Sequence, residues 1–126
     1  MPNLQWDEKL ATLAADAARN CQFRHYNWAK GYGENLAFKG GALYKNMTPK
    51  DRAVDASKAW YSEINGYRRY NGWRCMKAGG KDNCNHYAQQ VWPKTTHIGC
   101  AMHACPRLRF FVYCVYNPQG NMGTPW

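Results

Sequence analysis

Four side chains in the 126-residue sequence have the chemistry of a site: His25, Glu34, Glu63 and His86. Glu34 and Glu63 are two of only three glutamates, and both stand in apolar company. If the segment around residue 60 is helical, Glu63 lies about 60° from Trp60 and about 40° from Tyr67, on the buried edge of an apolar stripe. A carboxylate placed there loses its water and must find a cation, a metal or several hydrogen-bond donors. Glu34 falls in Gly33-Glu34-Asn35-Leu36-Ala37, read as a glycine-flanked loop just ahead of two apolar residues, and is also expected to face inward. His25 follows Cys21 by four residues, so a bridge at Cys21 would fix the loop that carries it. His86 stands in the first turn of a short helix, one residue after Asn85, which reads as its cap.

Two neutral imidazoles with one or two carboxylates make a first shell for Zn²⁺ that leaves a position open for water. The same four groups could instead satisfy one another as a buried ion-pair and hydrogen-bond network. Taken singly, the residues leave both readings open. A hydrolase, with metal-activated water and a glutamate as general base, would use the same residue types. No H-E-x-x-H helix or G-x-S-x-G elbow accompanies them, and the only serines, Ser57 and Ser62, fall on the second helix.

The elements that must position these groups follow from periodicity. Residues 7 to 21 read as a helix, with Leu10, Leu13, Ala14, Ala17, Ala18 and Cys21 on one stripe and Asp7 and Glu8 in the first turn. From Gln22 to Lys45 the chain is rich in glycine and aromatics with no clear period, which predicts ordered loop. Thr48-Pro49-Lys50-Asp51 opens a second helix, with Thr48 as its cap and a face of Val54, Ser57, Trp60, Tyr61, Ile64 and Tyr67. Asn46-Met47-Thr48 is also a glycosylation sequon, but capping accounts for Thr48, and no glycan is expected at Asn46. Residues 67–81 form a basic loop carrying Arg68, Arg69, Arg74, Lys77 and Lys81 and no acid, a composition able to grip phosphates or anionic lipid headgroups. A short helix over about 85–92 ends at Pro93.

The tail reads as strand. Leu108, Phe110, Val112, Cys114 and Tyr116 alternate with Arg109, Phe111, Tyr113 and Val115, so both faces are apolar, as in a central strand covered on each side. His97 to Cys105 is expected to pair with it as a hairpin, with Pro106 near the turn and His97 and His103 as ordinary strand residues on one side. Helices before and between the strands make an α+β, three-layer α-β-α sandwich around a small antiparallel sheet the natural packing.

Length and composition bound the rest. The chain, 1–126, is read as one domain with a real core. Six cysteines, even in number and lacking any C-x-x-C pair, predict disulfides worth roughly 2–4 kcal/mol each and an oxidising, extracellular compartment. No stretch nears the ~20 apolar residues that span a bilayer. Met1-Pro2 opens a polar run, so a signal peptide is expected to be removed or to lie upstream. A net charge of +9 draws the chain to anionic surfaces such as lipid headgroups or acidic glycans. Nucleic acid is not among the expected partners.

Four segments in register then carry a resemblance. "LQWDEKLATLAADAARNCQFRH" at 4–25, "GYGENLAF" at 31–38, "NHYAQQVWPKTTHIGC" at 85–100 and "FVYCVYNPQGN" at 111–121 resemble the signature segments of the CAP superfamily of cysteine-rich secretory, antigen 5 and pathogenesis-related proteins. The resemblance implies an α-β-α sandwich with an open cavity lined by a tetrad, here His25, Glu34, Glu63 and His86. It implies a divalent cation, often zinc, held through His25 and His86 with Glu34 and Glu63 in support. It implies the bridges Cys21–Cys105, Cys75–Cys84 and Cys100–Cys114, as in the plant branch. It also implies a secreted, non-enzymatic module that binds sterols, other lipids or an extracellular protein. A hydrolase or a cationic defence protein is the alternative. Ala88, Gln90 and Val115 depart from the family's usual residues, and the family's customary first helix, which precedes "L-x-W-D", is expected to be missing from this stretch.

Overall fold

The computed structural model describes residues 3–26, 31–107 and 109–122, with the side chains of Ala42 and Leu43 left out. Strand β1 is Gln5–Trp6 and helix α1 is Glu8–Ala18. Strand β2 (Gly33–Gly40) leads through α2 (Ala42–Lys45) into α3 (Pro49–Tyr61) and α4 (Ile64–Arg69). Two 3-10 turns, Trp73–Lys77 and Gly80–Asp82, precede α5 (Asn85–Gln90) and the hairpin of β3 (His97–Cys105) and β4 (Arg109–Asn117). The four strands form one sheet in the order β1-β3-β4-β2.

The three long strands pair antiparallel, as expected, and the sheet becomes mixed only because two-residue β1 runs parallel to β3. β4 is the inner strand that the alternation requires. Phe111, Tyr113 and Val115 face α1, packing with Leu10, Ala14, Ala17 and Ala18. Val112, Cys114 and Tyr116 face the other way, onto Ala56 and Trp60 of α3. Two apolar faces on one strand therefore demand a helical layer on each side, and the fold is an α-β-α sandwich. Leu108, expected to start the strand, lies outside the described residues, as do Met1 and Pro2.

Two expectations are corrected. Residues 33–40 are not loop but strand, paired with β4 from Gly33↔Tyr116 to Gly40↔Arg109. The second helix does not run through to Tyr67. It stops at Tyr61 and restarts at Ile64, with the Ser62 hydroxyl donating to Ala59 O at 2.6 Å, a local bond that competes with the helical ladder. Its buried face is Ala56 and Trp60, while Val54, Ser57 and Tyr61 are exposed.

Capping explains where the helices begin. Asp7 Oδ1 accepts from Lys9 N at 2.8 Å and Leu10 N at 3.3 Å, and Thr48 Oγ1 accepts from Asp51 N at 3.1 Å with Pro49 at the first position. Of the departures from the family pattern, Ala88 and Val115 are fully buried, and Gln90 Nε2 reaches Ser57 O and Oγ, each at 3.1 Å. The cysteines pair as the resemblance implied. Cys21–Cys105 ties the end of α1 to the end of β3, Cys75–Cys84 closes the two 3-10 turns, and Cys100–Cys114 joins adjacent strands.

α1 lies so close to β3 that only glycine fits at position 99. A Cβ there would stand 2.2 Å from Ala11 N and 2.6 Å from Asp7 O, both backbone atoms that cannot turn aside. Gly99→Ala is expected to cost about 1–3 kcal/mol by forcing helix and sheet apart. A thermal melt reads this directly, and an unchanged midpoint would contradict the packing described.

Candidate metal centre at the edge of the sheet

β2 is an edge strand, and successive side chains on a strand point to opposite faces. Glu34 therefore faces the α1 side, and Asn35 faces the side of α3 and α5. The site is built across this edge from two histidine–carboxylate pairs, one from each side.

On the first side, His25 Nδ1 meets Glu34 Oε1 at 2.8 Å. The Tyr113 hydroxyl donates to Glu34 Oε2, and Tyr26 N donates to the same oxygen at 3.2 Å. Three donors compensate a carboxylate whose side chain is only 5% exposed. The His25 ring is 66% exposed, held from the loop that Cys21–Cys105 anchors.

On the second side, Glu63 Oε2 meets His86 Nδ1 at 2.8 Å, and Glu63 Oε1 accepts from His86 N at 2.9 Å and Tyr87 N at 3.1 Å. Glu63 thus caps α5 from the turn between α3 and α4. Asn85 is not the cap but the first helical residue, and Asn83 Oδ1 accepts its N–H at 2.9 Å. The His86 ring stacks on Trp60, with centroids 6.0 Å apart and planes 14° from parallel. Trp60 is itself fixed by its Nε1–H bond to Leu36 O at 3.2 Å.

In both pairs the carboxylate faces Nδ1, so in the neutral ring Nδ1 carries the proton and Nε2 keeps its lone pair. Neither Nε2 has a hydrogen-bond partner among the described residues. His25 and His86 line one open cleft of about 1160 Å³, which Glu34 and Asn35 also line. Glu63 does not line it; it stands behind His86 and orients it. Three of the four residues singled out in the sequence meet the cleft, and the fourth acts through its histidine. No group of three or more His, Cys, Asp or Glu able to hold a metal ion occurs among the described residues. The side chains of metal-ligating type that line the cleft are His25, His86 and Glu34.

Two contributors were missed in the sequence. Asn35, 1% exposed, donates from Nδ2 to His86 O at 3.1 Å and to the Tyr116 hydroxyl at 3.2 Å, tying β2 to α5. Tyr113 fixes Glu34. Both sit inside the segments quoted for the resemblance, but only the strand pairing shows what they touch. His97 and His103 stay on β3, with His97 Nδ1 2.7 Å from Thr96 Oγ1.

The basic residues of 67–81 divide. Arg69 is neutralised by Asp82, at 2.6 Å from Nη2 and 2.8 Å from Nε. Arg68 and Lys81 are exposed outside the cleft, and Arg74 and Lys77 line it. The segment is ordered by its turns and its bridge rather than being the loop expected.

The hydrogen bond to Glu34 raises the His25 pKa above 6.5, burial opposes this, and the charge of Glu34 adds to the rise. A raised folded-state pKa means that the pairing stabilises the fold fully below the unfolded pKa and is lost as pH climbs through the folded one. NMR titration of the metal-free protein is expected to place His25 above 6.5, and Glu34→Gln is expected to bring it down. An unmoved midpoint would remove the pairing.

The cysteine-rich secretory protein (CAP) family model matches residues 1–116. The chain belongs to the CAP family. Venom allergen 3 of Solenopsis invicta is 33% identical over 99% of this chain and 56% of its own length. Pathogenesis-related protein 1 of Arabidopsis thaliana is 34% identical over 94% of this chain and 66% of its own length. The CAP chain described here spans about half the length of the curated relatives it matches. Among solved structures, NaASP2 crystallised with Zn²⁺ superposes with a TM-score of 0.77 at 29% identity, over 97% of this chain and 63% of that one.

Proposed function

We propose that the chain is a secreted, non-enzymatic CAP-domain binding module that holds a divalent cation, zinc foremost, through Nε2 of His25 and of His86. The observation that carries this is the pair of matching histidine–carboxylate contacts, each engaging Nδ1 of a histidine that lines one cleft. The crystal structure of NaASP2 with Zn²⁺, at 29% identity, supports the choice of metal. The cation would organise the cleft and polarise what enters it.

Every oxygen of Glu34 and Glu63 accepts from a local donor, which holds each carboxylate on its histidine. Secretion rests on the family, on three disulfides and on the compartment in which disulfides persist. No helix among the described residues is long and apolar enough to cross a membrane.

Sterols, other lipids or an extracellular protein partner are the ligands that the family reading puts first. The apolar surface available to a lipid includes Phe23, 60% exposed, with the Phe38 and Phe111 rings 6.0 and 6.1 Å away. A screen of sterols and lipids at low and high salt tests this reading. Sterol capture that resists salt is the expected result, since apolar contact is little screened. Turnover of a peptide or ester substrate, lost on Glu34→Gln, would establish the hydrolase instead.

A further inference from the structure

Arg74 and Lys77 are three residues apart on the 3-10 turn Trp73–Lys77, where side chains at i and i+3 eclipse one another. Both line the cleft, both are exposed, and neither has an ion-pair partner among the described residues. Their turn is rigidly held. Cys75 is bridged to Cys84, Cys84 N donates to Cys75 O at 3.2 Å, and Asn83 Nδ2 clamps Met76 O at 3.2 Å and Ala78 O at 2.8 Å. The backbone that presents the two cations to the cleft is thus fixed. Asn71 and Asn85 line the same cleft with side-chain amides that make no hydrogen bond among the described residues. Glu34, the carboxylate among the described residues that line the cleft, is committed to His25, Tyr26 and Tyr113.

We infer that this wall is a binding site for a phosphate monoester, whether free or as a lipid headgroup. A carboxylate has two oxygens and one charge, which a single guanidinium satisfies through its fork. Here a second cation and two amide groups remain. A dianion with three terminal oxygens matches a planar fork, a point charge and an amide donor together. The site needs no metal, so it stands or falls apart from the cation reading above.

The test uses metal-free protein, prepared by chelation and dialysis, in three forms: wild type, Arg74→Gln with Lys77→Gln, and Arg68→Gln with Lys81→Gln. The last pair removes the same net charge from outside the cleft. Titration with glycerol 3-phosphate, with acetate, and with phosphatidylcholine vesicles with and without phosphatidic acid supplies the probes. Wild type is expected to bind a phosphate monoester and not acetate. The cleft variant is expected to lose at least ten-fold in affinity, and the control to stay within about two-fold. Binding of the soluble ester assigns a free ligand, and binding of acidic vesicles alone assigns a headgroup. Equal weakening of both variants, acetate bound as well as phosphate, or no binding of either phosphate probe would overturn the inference.

Discussion

Zinc affinity is expected to fall by at least a hundred-fold when His25→Ala and His86→Ala are combined. The double variant deletes both imidazoles that line the cleft, and no group of three or more ligating side chains exists among the described residues to take their place. Each single variant should leave one imidazole, a weak anchor for a cation that prefers four ligands. Glu34→Gln and Glu63→Gln keep both imidazoles but replace the charged carboxylate that orients each with a neutral amide, and outer-shell changes of this kind cost about 10–100-fold. The order of loss is therefore double histidine variant, then glutamate variants, then wild type. Calorimetric zinc titration reads it, and equal affinity in wild type and double variant would end the metal assignment.

Removing the Cys21–Cys105 bridge is the second large effect. It closes a loop with a sequence separation of 84, against 9 for Cys75–Cys84 and 14 for Cys100–Cys114. Loop-closure entropy puts its contribution at about 4–5 kcal/mol and that of Cys75–Cys84 at about 3 kcal/mol. Domains of this size are stable by about 5–15 kcal/mol, so the first loss consumes a third or more of the margin. Cys21→Ala with Cys105→Ala should also release the loop that presents His25, weakening zinc binding in whatever fraction stays folded. Cys75→Ala with Cys84→Ala should lower the melting midpoint less and spare the histidines, while loosening the turn that carries Arg74 and Lys77. A larger thermal loss from the short bridge than from the long one would contradict this ranking.

Much of this arrangement was legible in the residues themselves. The double apolar alternation of 109–116 required an inner strand with a helix layer on each side, and both layers are there. The conflict of Glu63 with its apolar neighbours called for a cation, a metal or several donors, and three donors are present, although Glu63 stands in the break between two helices rather than on one. β2 escaped because Glu34 and Asn35, adjacent polar residues on opposite faces, break the alternation that marks a strand. Each serves a different histidine, and the sequence cannot show that both sides of an edge are in use. The break between α3 and α4 escaped for a related reason. Trp60, Ile64 and Tyr67 keep helical spacing across it, while the backbone turns at Ser62 to bring Glu63 under α5. A helix capped by a carboxylate from another element likewise leaves no local mark, which is why Asn85 was read as the cap. The division of the basic residues depends on one contact, Arg69 with Asp82, that residue types alone do not predict.

Crystals grown with zinc, and measured on either side of its absorption edge, address the metal site directly. A single anomalous peak is predicted about 2.0–2.1 Å from both His25 Nε2 and His86 Nε2, with each Nδ1 still on its glutamate. A peak on His97 or His103 alone, or none at occupancy-saturating zinc, would contradict it.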